Sequence, residues 1–202
     1  MILVLDYGLG NVHSIAAKFV QMGEEVQISS SIESIEAADR IILPGVGNFG
    51  TGAKNLSNLE ICGLLRRRII HEKVPILGIC LGMHLLTQRS EEGNGDGLGL
   101  IEGETKRFRF ENNILPLPHM GWNEVRIRNN SPLFDSIPDN SRFYFVHSFH
   151  PICVVCSDVI ATTNYGYDFS SVIGRDLVWG VQFHPEKSHK QGKQLMKNFA
   201  RL

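Results

Sequence analysis

A cysteine framed by glycines, Gly78-Ile79-Cys80-Leu81-Gly82, follows the apolar run Ile76-Leu77-Gly78-Ile79 and leads straight into a helical pattern. Gly-x-Cys-x-Gly at a strand-to-helix junction is the spelling of a nucleophile elbow, a sharp turn that holds a reactive side chain clear of a sheet. The flanking glycines remove Cβ atoms that would obstruct so tight a turn. The thiol would then face the N-terminus of the next helix, where unpaired N–H groups and the helix dipole favour thiolate. A thiolate attacking an acyl group needs an acid-base partner, and that partner needs a group to orient it. Val181-Gln182-Phe183-His184-Pro185-Glu186 offers both. A strand delivers His184, Pro185 is expected to keep the backbone extended, and Glu186 two residues on would share the imidazole's face and fix its tautomer. The chemistry this set points to is acyl transfer through a thioester, with Cys80 as nucleophile, His184 as general acid and base, and Glu186 as orienting acid.

More than a hundred residues separate Cys80 from His184, so the fold must bring them together. Over the first 90 residues strand and helix patterns alternate. Short apolar runs at Ile2-Leu3-Val4-Leu5, Glu25 to Ile28, Ile41-Ile42-Leu43 and Ile76 to Ile79 read as buried parallel strands. Val12, Ile15, Ala16, Phe19 and Val20 recur at helical spacing, and Leu59 to Glu72 reads as a helix with Arg66, Arg67 and Arg68 solvated. After a Gly, Asn and Asp loop at 93–99 the pattern becomes strand-rich: 106–110, 124–127, 142–146, 159–163, 171–173 and 177–183. A helix from about His189, burying Leu195, Met196 and Phe199, closes the chain. The expected fold is α/β: one domain over 1–202, with a central, largely parallel sheet flanked by helices and a strand-rich C-terminal half.

Three other motifs carry weaker chemistry. Gly45-Val46-Gly47-Asn48-Phe49-Gly50 spells the dinucleotide fingerprint, but Pro44 precedes it, Thr51-Gly52 reads as more loop, and Glu72 sits at a helix end rather than a strand end. Gly47 to Gly52 nearly spells a phosphate loop, with Ala53 where lysine is required. His147, His150, Cys153 and Cys156 have metal-like spacing, yet an apolar, extended stretch would send the two cysteines to opposite faces, so packing is the expected role and no metal site is assigned. Cys62, within an apolar stripe, reads as core.

Composition sets outer limits. The 202 residues are 43% hydrophobic and 20% charged, as in an ordinary globular protein. Twenty Lys and Arg against 21 Asp and Glu leave a net charge of −1, which argues against nucleic acid as the main ligand. The first residues carry no basic stretch of the kind that opens a signal peptide, no apolar run reaches membrane-spanning length, and four cysteines do not make a disulfide scaffold. A cytoplasmic protein is expected, with no cofactor.

Taken with Asp6-Tyr7-Gly8-Leu9-Gly10-Asn11, Pro44-Gly45-Val46-Gly47, Pro118-His119-Met120-Gly121-Trp122-Asn123, Tyr144-Phe145-Val146-His147-Ser148 and Phe183-His184-Pro185-Glu186-Lys187-Ser188, the elbow resembles the class I (triad) glutamine amidotransferases from Asp6 to the C-terminal helix. The Pro-His-Met-Gly-Trp-Asn segment is most similar to the branch that serves as glutaminase subunits of imidazole glycerol phosphate synthases in histidine biosynthesis. The resemblance implies that Cys80 attacks the side-chain amide of glutamine, with backbone N–H groups of Val46, Gly47 and Leu81 holding the oxyanion. Gly47, His84, Glu92, Ser148 and Phe149 would lie beside the substrate. It also implies a heterodimer with a (β/α)8 cyclase subunit that receives the ammonia, with Asn11, Trp122, Tyr144 and Lys187 at or near the interface. Two positions depart from the family pattern: His84 stands where glutamine is usual, and Phe149 where tyrosine is usual. These leave room for a paralogous subunit feeding another acceptor, such as a surface-sugar amidine synthase. A stand-alone thiol hydrolase and a metal-binding module are the further readings.

Overall fold

A computed structural model describes residues 1–111 and 115–202. The first half lays down β1 (Ile2–Leu5), α1 (Val12–Val20), β2 (Val26–Ser29), α2 (Ile32–Ala37), β3 (Arg40–Leu43), α3 (Phe49–Asn58), α4 (Cys62–Arg66), β4 (Ile76–Ile79) and α5 (Leu81–Leu86). Then come β5 (Arg89–Ser90), β6 (Gly103–Arg107), β7 (His119–Ile127), β8 (Ser141–His147), β9 (Phe149–Cys153), β10 (Val159–Tyr165), β11 (Tyr167–Arg175), β12 (Val178–Val181) and α6 (His189–Phe199).

Nine strands form one sheet in the order β2-β1-β3-β4-β12-β11-β10-β7-β8, and β5-β6-β9 form a second, smaller one. From β2 to β12 every pairing is parallel; beyond β12 every pairing is antiparallel. The parallel half is apolar on both faces because it is covered on both. In β1, Ile2 and Val4 face a core with Phe19, Leu195 and Phe199, whereas Leu3 and Leu5 face the other with Ile35, Leu56 and Leu65. Strand alternation thus feeds two cores from one short segment.

The pairing of β4 with β12 settles the central spatial question. Gly78 lies opposite Gly180 and Ile79 opposite Val181, so the ends of the two strands that carry Cys80 and His184 are neighbours. β12, the last strand in the chain, is inserted next to β4, and this returning strand closes the sequence distance.

Several expectations change. A helix does open from the glycine loop: Asn48 caps α3 by accepting from Thr51 N at 3.1 Å. The dinucleotide reading gains nothing, because Glu92 already places a carboxylate oxygen 3.0 Å from Phe49 N, where a phosphate would bind. The expected helix over 59–72 is instead α4 followed by a π-helical turn over Arg67–His71. Arg66 and Arg67 are exposed as expected, although the Arg66 guanidinium also donates to the Leu98 and Gly97 carbonyls; Arg68 is half-buried and donates to the carbonyls of Ile35 and Ala38 at the end of α2. β6 begins three residues before its expected start, and β7 begins five residues early. Cys62 is half-buried at the start of α4 rather than deep in the core.

The junction of β4 and α5 is the tightest packing in the molecule that bears on the site. A Cβ on Gly82 would stand 1.8 Å from the Leu43 carbonyl oxygen, and one on Gly78 would stand 2.6 Å from that of Gly82. Gly63, by contrast, would gain a methyl in open space. Gly82→Ala is therefore expected to destabilise by about 3 kcal/mol or more through forced backbone displacement. Gly63→Ala in α4 should instead stabilise by about 0.5–1 kcal/mol; urea denaturation of the two variants checks the contrast.

Candidate active site

Cys80 carries φ 54° and ψ −109°, a conformation L-residues avoid at a cost of about 1–3 kcal/mol. Its backbone N–H still bonds to the Val181 carbonyl at 2.8 Å, so the β4–β12 ladder runs to the turn itself and holds the strain. α5 spans only six residues, so its dipole is slight and the sulfur's polar surroundings come largely from other elements. The Val146 carbonyl lies 4.0 Å from Sγ and Gln182 Nε2 lies 3.9 Å from it.

The imidazole of His184 also faces Cys80. His184 Nδ1 stands 2.9 Å from Glu186 Oε1, with both side chains buried. The local geometry differs from the extended backbone expected: Pro185–Lys187 is a 3-10 turn, and Glu186 reaches the ring because the turn doubles back. The turn is tied to β8. His184 N donates to the Tyr144 carbonyl at 2.9 Å, while Ser188 Oγ donates to the His184 carbonyl at 2.6 Å and accepts from Tyr144 N at 3.0 Å. Burial alone would disfavour a charged ring, but the Cys80 sulfur and the Glu186 carboxylate outweigh it and raise the His184 pKa to about 10. The site is thereby poised with an imidazolium beside the sulfur, the arrangement a thiol nucleophile needs.

Cys80 opens into a cavity of about 430 Å³. Val46, Gly47, Leu81, His84, Glu92, Ser148 and Phe149, all expected at the site, line it. Gly47, at φ +111°, gives its loop a backbone turn that L-residues rarely adopt. The loop is anchored by Tyr7, whose buried hydroxyl donates to the Pro44 carbonyl at 2.6 Å. Burial raises the Glu92 pKa, partly offset by the Phe49 N–H. Phe149 packs under the Arg107 guanidinium, 5.8 Å from the ring centroid, and Arg107 also lines the cavity.

The sequence matches one family over nearly its whole length. The model of the glutamine amidotransferase class-I family fits residues 3–202. The chain belongs to this family. A relative from Methanococcus maripaludis, imidazole glycerol phosphate synthase subunit HisH 2, is 47% identical, the match covering 98% of each chain. The HisH 2 subunit of Pseudomonas aeruginosa is 42% identical over 100% of both chains. Among solved structures, PurLQS from Thermotoga maritima has the same fold, with a TM-score of 0.77 at 18% identity, covering 99% of this chain and 97% of that one.

In this amidotransferase three of the remaining sequence-derived positions, Trp122, Tyr144 and Lys187, lie against one another. Trp122 stacks on His189 at 4.9 Å with planes 6° apart and meets Tyr144 edge-on at 6.2 Å, while Lys187 Nζ lies 5.7 Å over the Tyr144 ring. Asn11 caps α1, which packs against the Pro185–Lys187 turn. The His147–Cys156 run does not assemble a metal site: among the described residues no cluster of three ligating groups occurs. His147 instead bonds the Phe149 carbonyl at 2.7 Å and His119 at 2.9 Å, and His150 bonds Tyr167 at 2.9 Å. Gln182, Tyr7, Ser188 and His189 carry no role assigned from the sequence. Gln182 alone had a signal, its place two residues before His184 in a strand of period 2.

The raised His184 pKa fixes a sign. The ring's charge adds stability fully below the unfolded value of 6.5 and loses it as pH rises toward 10. Glu186→Gln should therefore reduce stability most near pH 6, with the gap to wild type narrowing as pH rises from about 6.5 to about 10. Histidine NMR titration should show the His184 ring still charged near pH 8 in wild type and titrating earlier in the variant.

Proposed function

We propose that this amidotransferase is a cytosolic glutaminase subunit that hydrolyses glutamine to glutamate and ammonia and hands the ammonia to a (β/α)8 cyclase subunit forming imidazole glycerol phosphate. The observation that carries the reading is the convergence of Cys80, His184 and Glu186, from β4 and the segment after β12, beside one cavity. The relatives named as synthase subunits support the pathway.

Cys80 Sγ attacks the side-chain carbonyl carbon of glutamine, forming a C–S bond and an oxyanion. The backbone N–H groups of Leu81, Val46 and Gly47 receive that charge. His184, held as imidazolium, gives its proton to the departing nitrogen, and ammonia leaves as the γ-glutamyl thioester forms. His184 then takes a proton from water as it adds to the thioester; glutamate departs and the sulfur is regenerated. Glu186 holds the ring in place through both steps. Glu92 receives the substrate's amino group, and Ser148 and Phe149 border its main-chain end.

Ammonia released into water would be protonated and lost to the acceptor, so a sealed contact with a partner is needed. Met120 and Trp122 project from the same face of β7, 62% and 37% exposed, next to Tyr144 and Lys187. Exposed aromatic and methionine side chains over a polar rim fit a protein interface. Among the described residues no helix is long and apolar enough to cross a membrane.

Cys80→Ala should lower glutamate release by at least about a thousandfold. Hydrolysis by the wild-type chain should be slow alone and rise sharply with a barrel cyclase and its nucleotide ligand present; equal rates in both conditions would remove the synthase assignment. Trp122→Ala should weaken association with the cyclase by about 30-fold or more, measured by titration calorimetry, while leaving the partner-free rate unchanged.

A further inference from the structure

One buried contact beside the sulfur has no part in the reaction just derived. His84 lies on α5 one turn after Cys80 and is 4% exposed. Its Nε2 stands 2.8 Å from Oε1 of Gln182, a fully buried side chain whose Nε2 lies 3.9 Å from Cys80 Sγ. Gly180, two residues before Gln182, has the side of its backbone turned to Met83 of α5, so this face of the strand packs on that helix.

A carboxamide has a donor end and an acceptor end, so whatever bonds one end decides which end faces the other way. Burial keeps the His84 ring neutral, its pKa down at about 4, so only one ring nitrogen carries hydrogen. With the hydrogen on Nε2, His84 donates to Gln182 Oε1 and the NH2 group turns to the sulfur. With it on Nδ1, Gln182 must donate to His84, and its carbonyl oxygen faces the sulfur. The first arrangement suits a thiolate; the second suits a thiol and repels a thiolate. A charged His184 beside Cys80 selects the first.

We propose that His84 is a positioning residue for the nucleophile: its Nε2–H fixes the Gln182 carboxamide with the NH2 toward Cys80 Sγ and so favours the thiolate. This role rests on the reading of Cys80 as nucleophile. It also removes His84 as a competing base, since the ring is neutral, buried and bonded away from the sulfur. The other ionisable groups facing this corner are His184 and Glu186, Tyr7 after β1, His147 on β8 with His150 on β9, and Glu92 and Arg107 across the cavity. His147 and His150 are coupled electrostatically to His84, so Gln182→Leu, which leaves His84 in place, separates the relay from a change in those neighbours.

The test is the pH profile of Cys80 alkylation by iodoacetamide in the full-length chain, read by peptide mass spectrometry. His84→Leu frees the carboxamide to turn, and alkylation on the acid side of the midpoint should slow about tenfold, the scale of one hydrogen bond to a charged group. Gln182→Leu should match it, and His84→Gln, which restores a donor to Gln182 Oε1, should return the profile to that of wild type. Superimposable profiles for wild type and His84→Leu would overturn the proposal. Nitrogen-15 NMR of the wild-type chain gives a check that needs no variant: the Nε2–H tautomer of His84 is expected, and the Nδ1–H tautomer would overturn the proposal. A Cys80→Ala chain that still hydrolyses glutamine would sink the nucleophile assignment itself; an inactive Cys80→Ala chain, together with superimposable Cys80 alkylation profiles for wild type and His84→Leu, would sink only the relay.

Discussion

Glu186 and His184 are at most 6% exposed, and a charge on either alone at that depth would cost several kcal/mol. Each is tolerable because the other stands 2.9 Å away, and the sulfur of Cys80 adds a further partner for the ring. The pair lies outside regular strand, in a turn whose shape depends on Ser188 and the edge of β8. That dependence links the two halves of the large sheet: β4 and β12 bring sulfur and ring together, and β8 keeps the ring aimed.

Close packing supplies the complementary constraint. Gly82 abuts the end of β3 and Gly78 abuts Gly82, so α5 begins hard against the sheet. Between these two glycines Cys80 holds a backbone conformation that L-residues avoid. The strain persists because hydrogen bonds and apolar burial on both sides leave the backbone no alternative.

The histidines divide by environment. His84 and His147 sit beside the cavity with pKa values pushed down by burial, so they act as neutral hydrogen-bonding groups that orient neighbours. His184, with the Glu186 carboxylate 2.9 Å away, is raised instead. One residue type thus takes opposite charge preferences around one site, and the difference lies in what surrounds each ring.

Cys80 between its glycines, the His184-Pro185-Glu186 run and the apolar strands were legible from residue order because local punctuation and alternation are local physics. The cavity-lining positions followed from resemblance to the family. The helix at Phe49–Asn58 was not legible, since its start depends on Asn48 and on Glu92 arriving from 43 residues away. The half-burial of Arg68 was not legible because the carbonyls it binds belong to another segment. The residue types of the site were written in the chain, but the insertion of β12 beside β4, the doubling back of Glu186 and the line from His84 through Gln182 to sulfur were decided by tertiary structure. A hydrogen bond between residues a hundred positions apart exists only after the sheet has closed, and no local pattern encodes it.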